Sequence, residues 1–254
     1  MIATIRSEWI KIRTVRMNLV LCIIAVAIPL LVSVLTSALV DPADSIDAAE
    51  LVGAITGSSV ITAMLLGVIG VVSIGGEFSH GTIRPTFAAT PRRGRVLLAK
   101  GIVTSVTALV IEVVVVALCY GIAAAILSSR GANISLADYP EARNALIGIV
   151  AFAMIVALLG YGLGMLIRNM PSAIAVLILW PLVIENIVAG LLSLAGVNNP
   201  FKWLPYVSGI QLGDPDSGTG RGEFLSRIPA GLYFGGVTLA VIAMGAALTN
   251  RRDA

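Results

Sequence analysis

The densest group of ionisable residues in this sequence lies between Glu77 and Lys100, with long apolar runs on both sides of it. One carboxylate is opposed there by five cations: Arg84, Arg92, Arg93, Arg95 and Lys100. An Arg or Lys at the centre of a membrane-spanning helix costs about 3 kcal/mol. We therefore expect this stretch to lie in water, and its excess of cations indicates the cytoplasmic side of a membrane.

The sequence lacks the patterns that catalysis or metal binding would require. It contains no GxxxxGK[ST] loop for nucleotide phosphates, so the chain is not expected to hydrolyse ATP itself. His80 is the single histidine, which excludes a zinc site built on paired histidines. A serine nucleophile would have to use His80 as its general base, because the sequence offers no other histidine. We expect no catalytic residue, no metal and no cofactor bound by this chain.

Two carboxylic acids stand inside apolar runs. Glu112 lies near the middle of the third run, and Glu185, followed by Asn186, lies near the middle of the fifth. Such acids mark functional sites, because a charge in a membrane is costly unless it is protonated, paired or facing a wet cavity. Two interpretations stay open: these residues line a transport pathway, or protonated carboxyls form hydrogen bonds between packed helices. Pro181 is expected to bend the fifth helix and free a carbonyl nearby.

The composition is typical of a polytopic membrane protein. Hydrophobic residues make up 57% of the chain and charged residues 12%, against roughly 25% charged residues in soluble domains. Because one crossing takes about 20 residues, we expect residues 1–254 to form a single all-α membrane domain. The net charge of +3 does not indicate a nucleic-acid partner, since the cations cluster at the ends of apolar runs.

Six spans are expected, and the distribution of cations orients them. Placing both termini in the cytoplasm puts twelve Lys and Arg residues inside and five outside, which agrees with the positive-inside rule. The predicted spans are Met17–Leu39, Leu51–Ile74, Val96–Leu127, Ala145–Ile167, Ala173–Ala195 and Ile228–Leu248.

Residues 1–16 are too charged to cross a membrane, yet their apolar residues follow helical spacing. The apolar face consists of Ile2, Ile5, Trp9 and Ile12, and the cations are Arg6, Lys11, Arg13 and Arg16. This pattern predicts an amphipathic interfacial helix, with Trp9 at headgroup depth and Lys11 and Arg13 attracted by anionic lipid. A signal peptide is the competing interpretation, but the apolar run that follows is longer than a signal core.

The longest connection on the outer side spans residues 196–227. Its first half, with Pro200, Trp203 and Tyr206, is too apolar for a free loop. We expect short interfacial or re-entrant helices there, since Trp and Tyr favour the headgroup zone. Glycine pairs spaced for close helix packing occur at 53 and 57, 160 and 164, and 231 and 235. Packing within one subunit is the favoured use of these pairs, and a dimer face is the alternative.

Several stretches resemble the permeases of ABC-2 type transporters. The amphipathic start contains Ser7-Glu-Trp-Ile-Lys-Ile-Arg13, and the stretch after the second span reads Gly76-Glu-Phe-Ser-His-Gly-Thr-Ile-Arg84, followed by Ala89-Thr-Pro-Arg-Arg93. Gly160-Tyr-Gly-Leu-Gly164 runs into Arg168. The Glu-x-x-x-Gly-Thr-x-Arg pattern is the most specific part, and the resemblance in length and layout covers the whole chain. The residues look most like the actinobacterial branch, which implies a bacterial cell membrane.

The resemblance implies the membrane subunit of an ATP-driven exporter. Two permease subunits, as a homodimer or a heterodimer, would form the pathway, and two ATP-binding cassette subunits would bind ATP and Mg on the cytoplasmic side. Residues 75–95 would form a coupling helix that transmits a rigid-body movement to the attached spans. Residues 196–227 would match the re-entrant region, and Arg92 and Arg93 would anchor the coupling stretch. The expected ATPase contacts are Glu77, Phe78, His80, Gly81, Thr82 and Arg84.

A proton-driven secondary transporter that uses Glu112 and Glu185 is the main alternative. It requires transport that persists without an ATPase and stops when the proton gradient is dissipated. A membrane-embedded enzyme is disfavoured, because no set of His, Asp or Ser converges at one membrane depth. The substrate is left open, since lipids, peptides and small drugs all suit an apolar pathway with few polar groups.

Overall fold

The computed structural model describes residues 2–42, 46–83, 85, 93–132, 134–218 and 224–252. Every regular element in these ranges is helical, as the all-α prediction requires. A π-helical segment, Trp180–Ile184, joins α6 to α7, and 3₁₀ turns occupy Pro200–Trp203 and Pro215–Gly218. The α-helices are α1 Ile2–Thr14, α2 Arg16–Leu39, α3 Ala48–Ser79, α4 Arg93–Ser129, α5 Pro140–Ile167, α6 Met170–Leu179, α7 Glu185–Leu194, α8 Pro205–Ile210 and α9 Arg227–Arg252.

Six helical stretches of the described chain are long and apolar enough to cross a membrane, which confirms the predicted number. They are α2, α3, α4, α5, the continuous stretch Met170–Leu194, and α9. The two spans that border the polar stretch extend into it, because α3 continues to Ser79 and α4 begins at Arg93. The 37 residues of α4 extend about 55 Å at 1.5 Å per residue, beyond a hydrocarbon core of about 30 Å. Helical extensions of the spans therefore carry part of the polar stretch that the sequence placed in a loop.

The helices α3 and α5 form the centre of the bundle. Most of their residues are buried, whereas the other spans leave most of theirs at the surface. Glycine lets the two backbones touch, because a Cβ added to Gly160 would lie 2.0 Å from the carbonyl oxygen of Gly67. The predicted pair Gly160 and Gly164 therefore packs within the subunit. A Cβ at Gly53 or Gly57 would instead meet no atom within 4 Å.

Buried hydroxyl groups tie α2 to its neighbours. Pro29 lies inside α2 and has no N–H, so the carbonyl of Ala25 loses the partner that a regular helix would provide. The Thr62 hydroxyl on α3 donates to this carbonyl over 2.7 Å, and the Ser33 hydroxyl donates to the carbonyl of Cys119 on α4 over 2.8 Å. Because backbone groups find no water in hydrocarbon, these bonds hold α2, α3 and α4 in register.

Candidate functional site

One end of the bundle brings together α1, the last turns of α3, the first turns of α4, the α5–α6 connection and the last turns of α9; we call it the basic end. Contacts across it join distant parts of the sequence. The backbone N–H of Met170 donates to the Ser79 hydroxyl over 3.0 Å, and the guanidinium of Arg168 donates to the carbonyl of Leu248 over 3.4 Å. The long helices thus bring the predicted cytoplasmic segments into one assembly.

Four charged side chains, Glu8, Lys11, Glu77 and Lys100, form a partly buried cluster that we call the ion network. The Nζ atom of Lys100 lies 2.6 Å from Glu8 Oε2 and 2.8 Å from Glu77 Oε1, and it donates to the Ser73 carbonyl over 3.2 Å. All three N–H groups of this ammonium therefore have an acceptor. Lys11 completes the network, 2.9 Å from Glu8 Oε1 and 2.8 Å from Glu77 Oε1.

The two lysines of the network differ in exposure. The side chain of Lys100 is fully enclosed, whereas that of Lys11 is 47% exposed. Burial alone would lower the pKa of Lys11, but hydrogen bonds and charge interactions with Glu77 and Glu8 outweigh it and raise the pKa. Two lysines balance the two carboxylates. The enclosed Lys100 is the partner that burial demands, because a buried charge without its partner is strongly destabilising.

Glu8 was not among the predicted site residues, although the sequence contains a signal for it. Glu8 follows Ile5 by three residues and precedes Ile12 by four, so it falls on the apolar face of α1. A carboxylate on a face that packs against the bundle needs a cation from another element. Glu8 is 5% exposed in the structure, and that cation is Lys100, which the sequence analysis counted only as part of a basic loop.

The predicted ATPase contacts lie in the last turn of α3 and just beyond it. Phe78 belongs to α3, and the guanidinium of Arg168 lies over its ring, 4.8 Å from the centroid. His80, Gly81 and Thr82 follow the helix and are exposed. Gly81 has a φ of +70°, a conformation in which glycine is favoured. Outside the described part of the chain lie Arg84, Arg92 and the side chain of Arg93.

The predicted interfacial helix is present as α1, and Trp9 and Arg13 lie on it. The guanidinium of Arg13 is 5.9 Å from the centroid of the Trp9 ring, within the range of a cation–π interaction. Trp9 is half-buried and Arg13 is exposed. The position of this helix in the membrane interface stays a prediction.

Glu185 is bonded to the connection that follows its own span. Its Oε1 atom accepts the backbone N–H of Tyr206 over 2.8 Å and the indole N–H of Trp180 over 3.1 Å, and Oε2 accepts the backbone N–H of Val207 over 3.0 Å. These two backbone groups belong to the first turn of α8, which has no helical partner for them. Glu185 precedes Leu194 by nine residues, about 14 Å along the helix, so the connection folds back beside the span.

The surroundings of Glu185 are mostly apolar. A cavity of about 260 Å³ opens beside Glu185 and Tyr206, lined otherwise mainly by aliphatic side chains of α5, α6 and α9. Burial, together with the nearby Glu185 carboxylate, raises the pKa of Tyr206. The phenol therefore stays neutral beside the acid.

A π-helical segment, Trp180–Ile184, comes directly before Glu185. It contains Pro181, whose missing N–H interrupts the regular pattern of helical bonds. The side chain of Asn186 donates to the carbonyls of Pro181 and Leu182 over 3.4 and 3.0 Å. The sequence predicted a disturbance of the fifth helix at Pro181, and Asn186 provides donors for the carbonyls that the disturbance leaves free.

Glu112 is fully buried on α4. It lies beside the Ser59 hydroxyl of α3, yet no described residue stands in hydrogen-bond geometry with either of its carboxylate oxygens. Glu112 therefore differs from Glu185, whose oxygens both accept N–H groups.

Comparison with protein families gives a match that covers nearly the whole chain. Residues 2–254 match the protein-family model described as ABC-2 family transporter protein. The match includes α1, the six spans and the basic end. A comparison with curated proteins gives no match.

Proposed function

Since the chain belongs to the ABC-2 transporter family, we propose that it is the pathway-forming subunit of an ATP-driven exporter. Membership makes it an integral membrane protein and the permease component of an ABC transporter. We further propose that two permease subunits enclose the pathway, and that two separate ATPase subunits bind ATP and Mg at the basic end. The termini face the cytoplasm in this proposal, because twelve of the 17 Lys and Arg residues then lie inside.

The ion network is the observation that carries this proposal. An ATPase can drive a permease only if the surface that it contacts moves together with the spans. His80, Gly81 and Thr82 are exposed and directly follow the end of α3, and Glu77 in that end is bonded through Lys100 to α4. Lys100 is bonded in turn to α1. A force on the exposed segment therefore acts on three elements together.

The experiment is affinity purification of the tagged protein from its own host in mild detergent, with mass spectrometry of the bound proteins. We expect a stoichiometric ATP-binding cassette subunit with the wild-type chain. Arg84→Glu reverses a charge within the predicted contact, so it is expected to reduce the bound ATPase about tenfold, as loss of one interfacial charge pair does. Arg143→Glu, at the exposed start of α5, is the matched control and should keep the ATPase.

Two outcomes count against the proposal. A well-expressed Arg84→Glu variant that retains its ATPase removes the assignment of the coupling segment. A wild-type chain that brings down no ATPase, even after crosslinking, removes the ATP-driven function.

A proton-driven transporter is the second candidate, and Glu112 is the observation that favours it. This acid lies in a span and forms no hydrogen bond to a described residue, and such acids occur in proton pathways. Transport by vesicles that contain this chain alone, abolished by a protonophore and by Glu112→Gln, would establish it. In the exporter proposal, Glu112, Glu185 and Asn186 line the pathway, and no proton gradient is needed.

A further inference from the structure

A cavity of about 570 Å³ lies beside the ion network, between α1, the start of α2 and the end of α3. Its lining includes polar groups of Asn18, Glu77 and His80 and apolar side chains of Val15 and Met17. The two apolar side chains are 41% and 40% exposed. The cavity thus combines a few polar groups with a mainly apolar lining, which suits an amphiphile.

Three residues of this cavity, Asn18, Glu77 and His80, offer acceptor atoms to it. Asn18 is only 4% exposed, and its Oδ1 atom has no hydrogen-bond partner in the described chain, nor has Oε2 of Glu77. The Nδ1 atom of His80 lies 2.7 Å from the carbonyl oxygen of Gly76, so Nδ1 carries a proton, and in the neutral tautomer Nε2 is an acceptor. Buried acceptors without donors cost free energy, so the arrangement calls for a ligand that donates.

We propose that this cavity binds the primary ammonium of a zwitterionic lipid headgroup, as in phosphatidylethanolamine. An alkylammonium has three N–H donors and no acceptor, which equals in number the acceptor atoms that Asn18, Glu77 and His80 offer around this cavity. Because the ion network is neutral as a whole, a zwitterion enters without unbalancing its charge. Lys11 lines the same cavity, and its half-exposed ammonium is available to the lipid phosphate. The side chains of Val15 and Met17 are available to the start of the acyl chains.

The acceptor atoms of the cavity would select one type of headgroup, which general electrostatic attraction to lipid does not do. Basic residues of α1 attract any anionic lipid regardless of headgroup shape. The acceptors of the cavity instead distinguish a primary ammonium from the quaternary ammonium of phosphatidylcholine, which has no N–H to donate. Stepwise N-methylation of the headgroup is therefore expected to lower affinity at each step.

The experiment measures the melting temperature of the purified 254-residue chain in detergent during titration with lipids of identical acyl chains. A ligand that binds the folded state stabilises it by RT ln(1 + [L]/Kd), so the rise in melting temperature with ligand concentration reports the affinity. We expect phosphatidylethanolamine to bind about tenfold more tightly than phosphatidylcholine, the factor for one hydrogen bond with a charged donor. The monomethyl and dimethyl lipids should fall between them.

Two variants test the role of Asn18. Asn18→Leu removes the acceptor and should bring the affinity ratio of the two lipids close to one, whereas Asn18→Asp keeps an acceptor and should retain the preference. Asn198→Leu, at an exposed position in the outer connection, is the matched control and should leave the ratio unchanged. A folded Asn18→Leu variant with the wild-type ratio would overturn the site.

The methylation series decides the proposal even if Asn18→Leu does not fold. Equal affinity of the wild-type chain for the four lipids overturns it. Soluble glycerophosphoethanolamine tests the source of the ammonium. If it stabilises the chain as strongly as the lipid does at equal concentration, the ligand is a soluble amine and the lipid assignment is wrong; a lipid effect at least about tenfold stronger supports the lipid.

Discussion

At the basic end, the carboxylates of Glu8 and Glu77 are bonded to ammonium groups of lysines, one of them from α4, whereas Glu185 in the fifth span is bonded to N–H groups. The first arrangement joins α1, α3 and α4, which are far apart in the sequence. The second joins the span to the short connection that follows it. Full charge compensation thus occurs where distant elements pack together, and neutral donors suffice where a connection is held against its own span.

Lys100→Met is expected to have the largest effect on this comparison, because it removes the cation and leaves Glu8 and Glu77 in place. Breaking a buried ion pair from one side costs about 3–5 kcal/mol, enough to unfold a marginally stable protein. Thermal unfolding in mild detergent, followed by tryptophan fluorescence, gives the measurement.

Lys202→Met is the matched control for that variant. Lys202 is half-buried in the connection at the opposite end of the bundle, and substitutions at such positions usually change stability by about 0.5 kcal/mol or less. Equal melting temperatures for Lys100→Met and Lys202→Met would show that the ion network does not stabilise the fold.

Glu185→Gln is expected to have an intermediate effect. The amide has one acceptor oxygen and no charge, so at least one of the three N–H groups loses its partner, at a cost of about 1–3 kcal/mol. Glu112→Gln serves as the comparison, because Glu112 has no hydrogen-bonded partner to lose among the described residues. Its melting temperature should stay close to the wild-type value, and the reverse order of the two variants would contradict the roles assigned to these acids.

Lys11→Met is expected to have the smallest effect, although Lys11 belongs to the same network as Lys100. Its side chain is 47% exposed, and exposed ion pairs contribute about 0–1 kcal/mol. In the folded chain the pKa of Lys11 is raised above its ordinary value of 10.5. The ion pairs of Lys11 therefore contribute fully to the free energy of unfolding below pH 10.5, and this contribution is lost only as the pH rises through the higher pKa of the folded state. The difference between Lys11→Met and wild type should therefore stay constant at neutral pH, and a loss comparable to that of Lys100→Met would contradict the distinction.

The six spans follow from apolar runs that the bilayer requires, and the helical spacing of Ile5, Trp9 and Ile12 predicted α1. The sequence pattern does not predict that α3 extends through Gly75–Ser79, because two glycines and several polar residues disfavour a helix there. The pairing of Glu8 with Lys100 joins residues 92 positions apart, and such a contact depends on how the spans pack.

The intramembrane acids show the same limit of sequence analysis. The cost of a carboxylate in a membrane identified Glu185 as a residue with a special role. Its partners are an indole five residues earlier and backbone N–H groups at Tyr206 and Val207. Backbone donors leave no pattern in a sequence, so the bond between the fifth span and the outer connection had to come from the structure.

The most direct test of the central claim exchanges the charges of the ion network. Glu8→Lys and Lys100→Glu each unbalance the network, whereas the double variant restores two acids and two lysines at the same four positions. The measurement is the amount of ATPase subunit that co-purifies with each variant, and its rate of ATP hydrolysis in the complex. We expect both single variants to lose the coupled ATPase and the double variant to recover it. Normal coupling in well-folded single variants would contradict the claim that this network connects the ATPase to the spans.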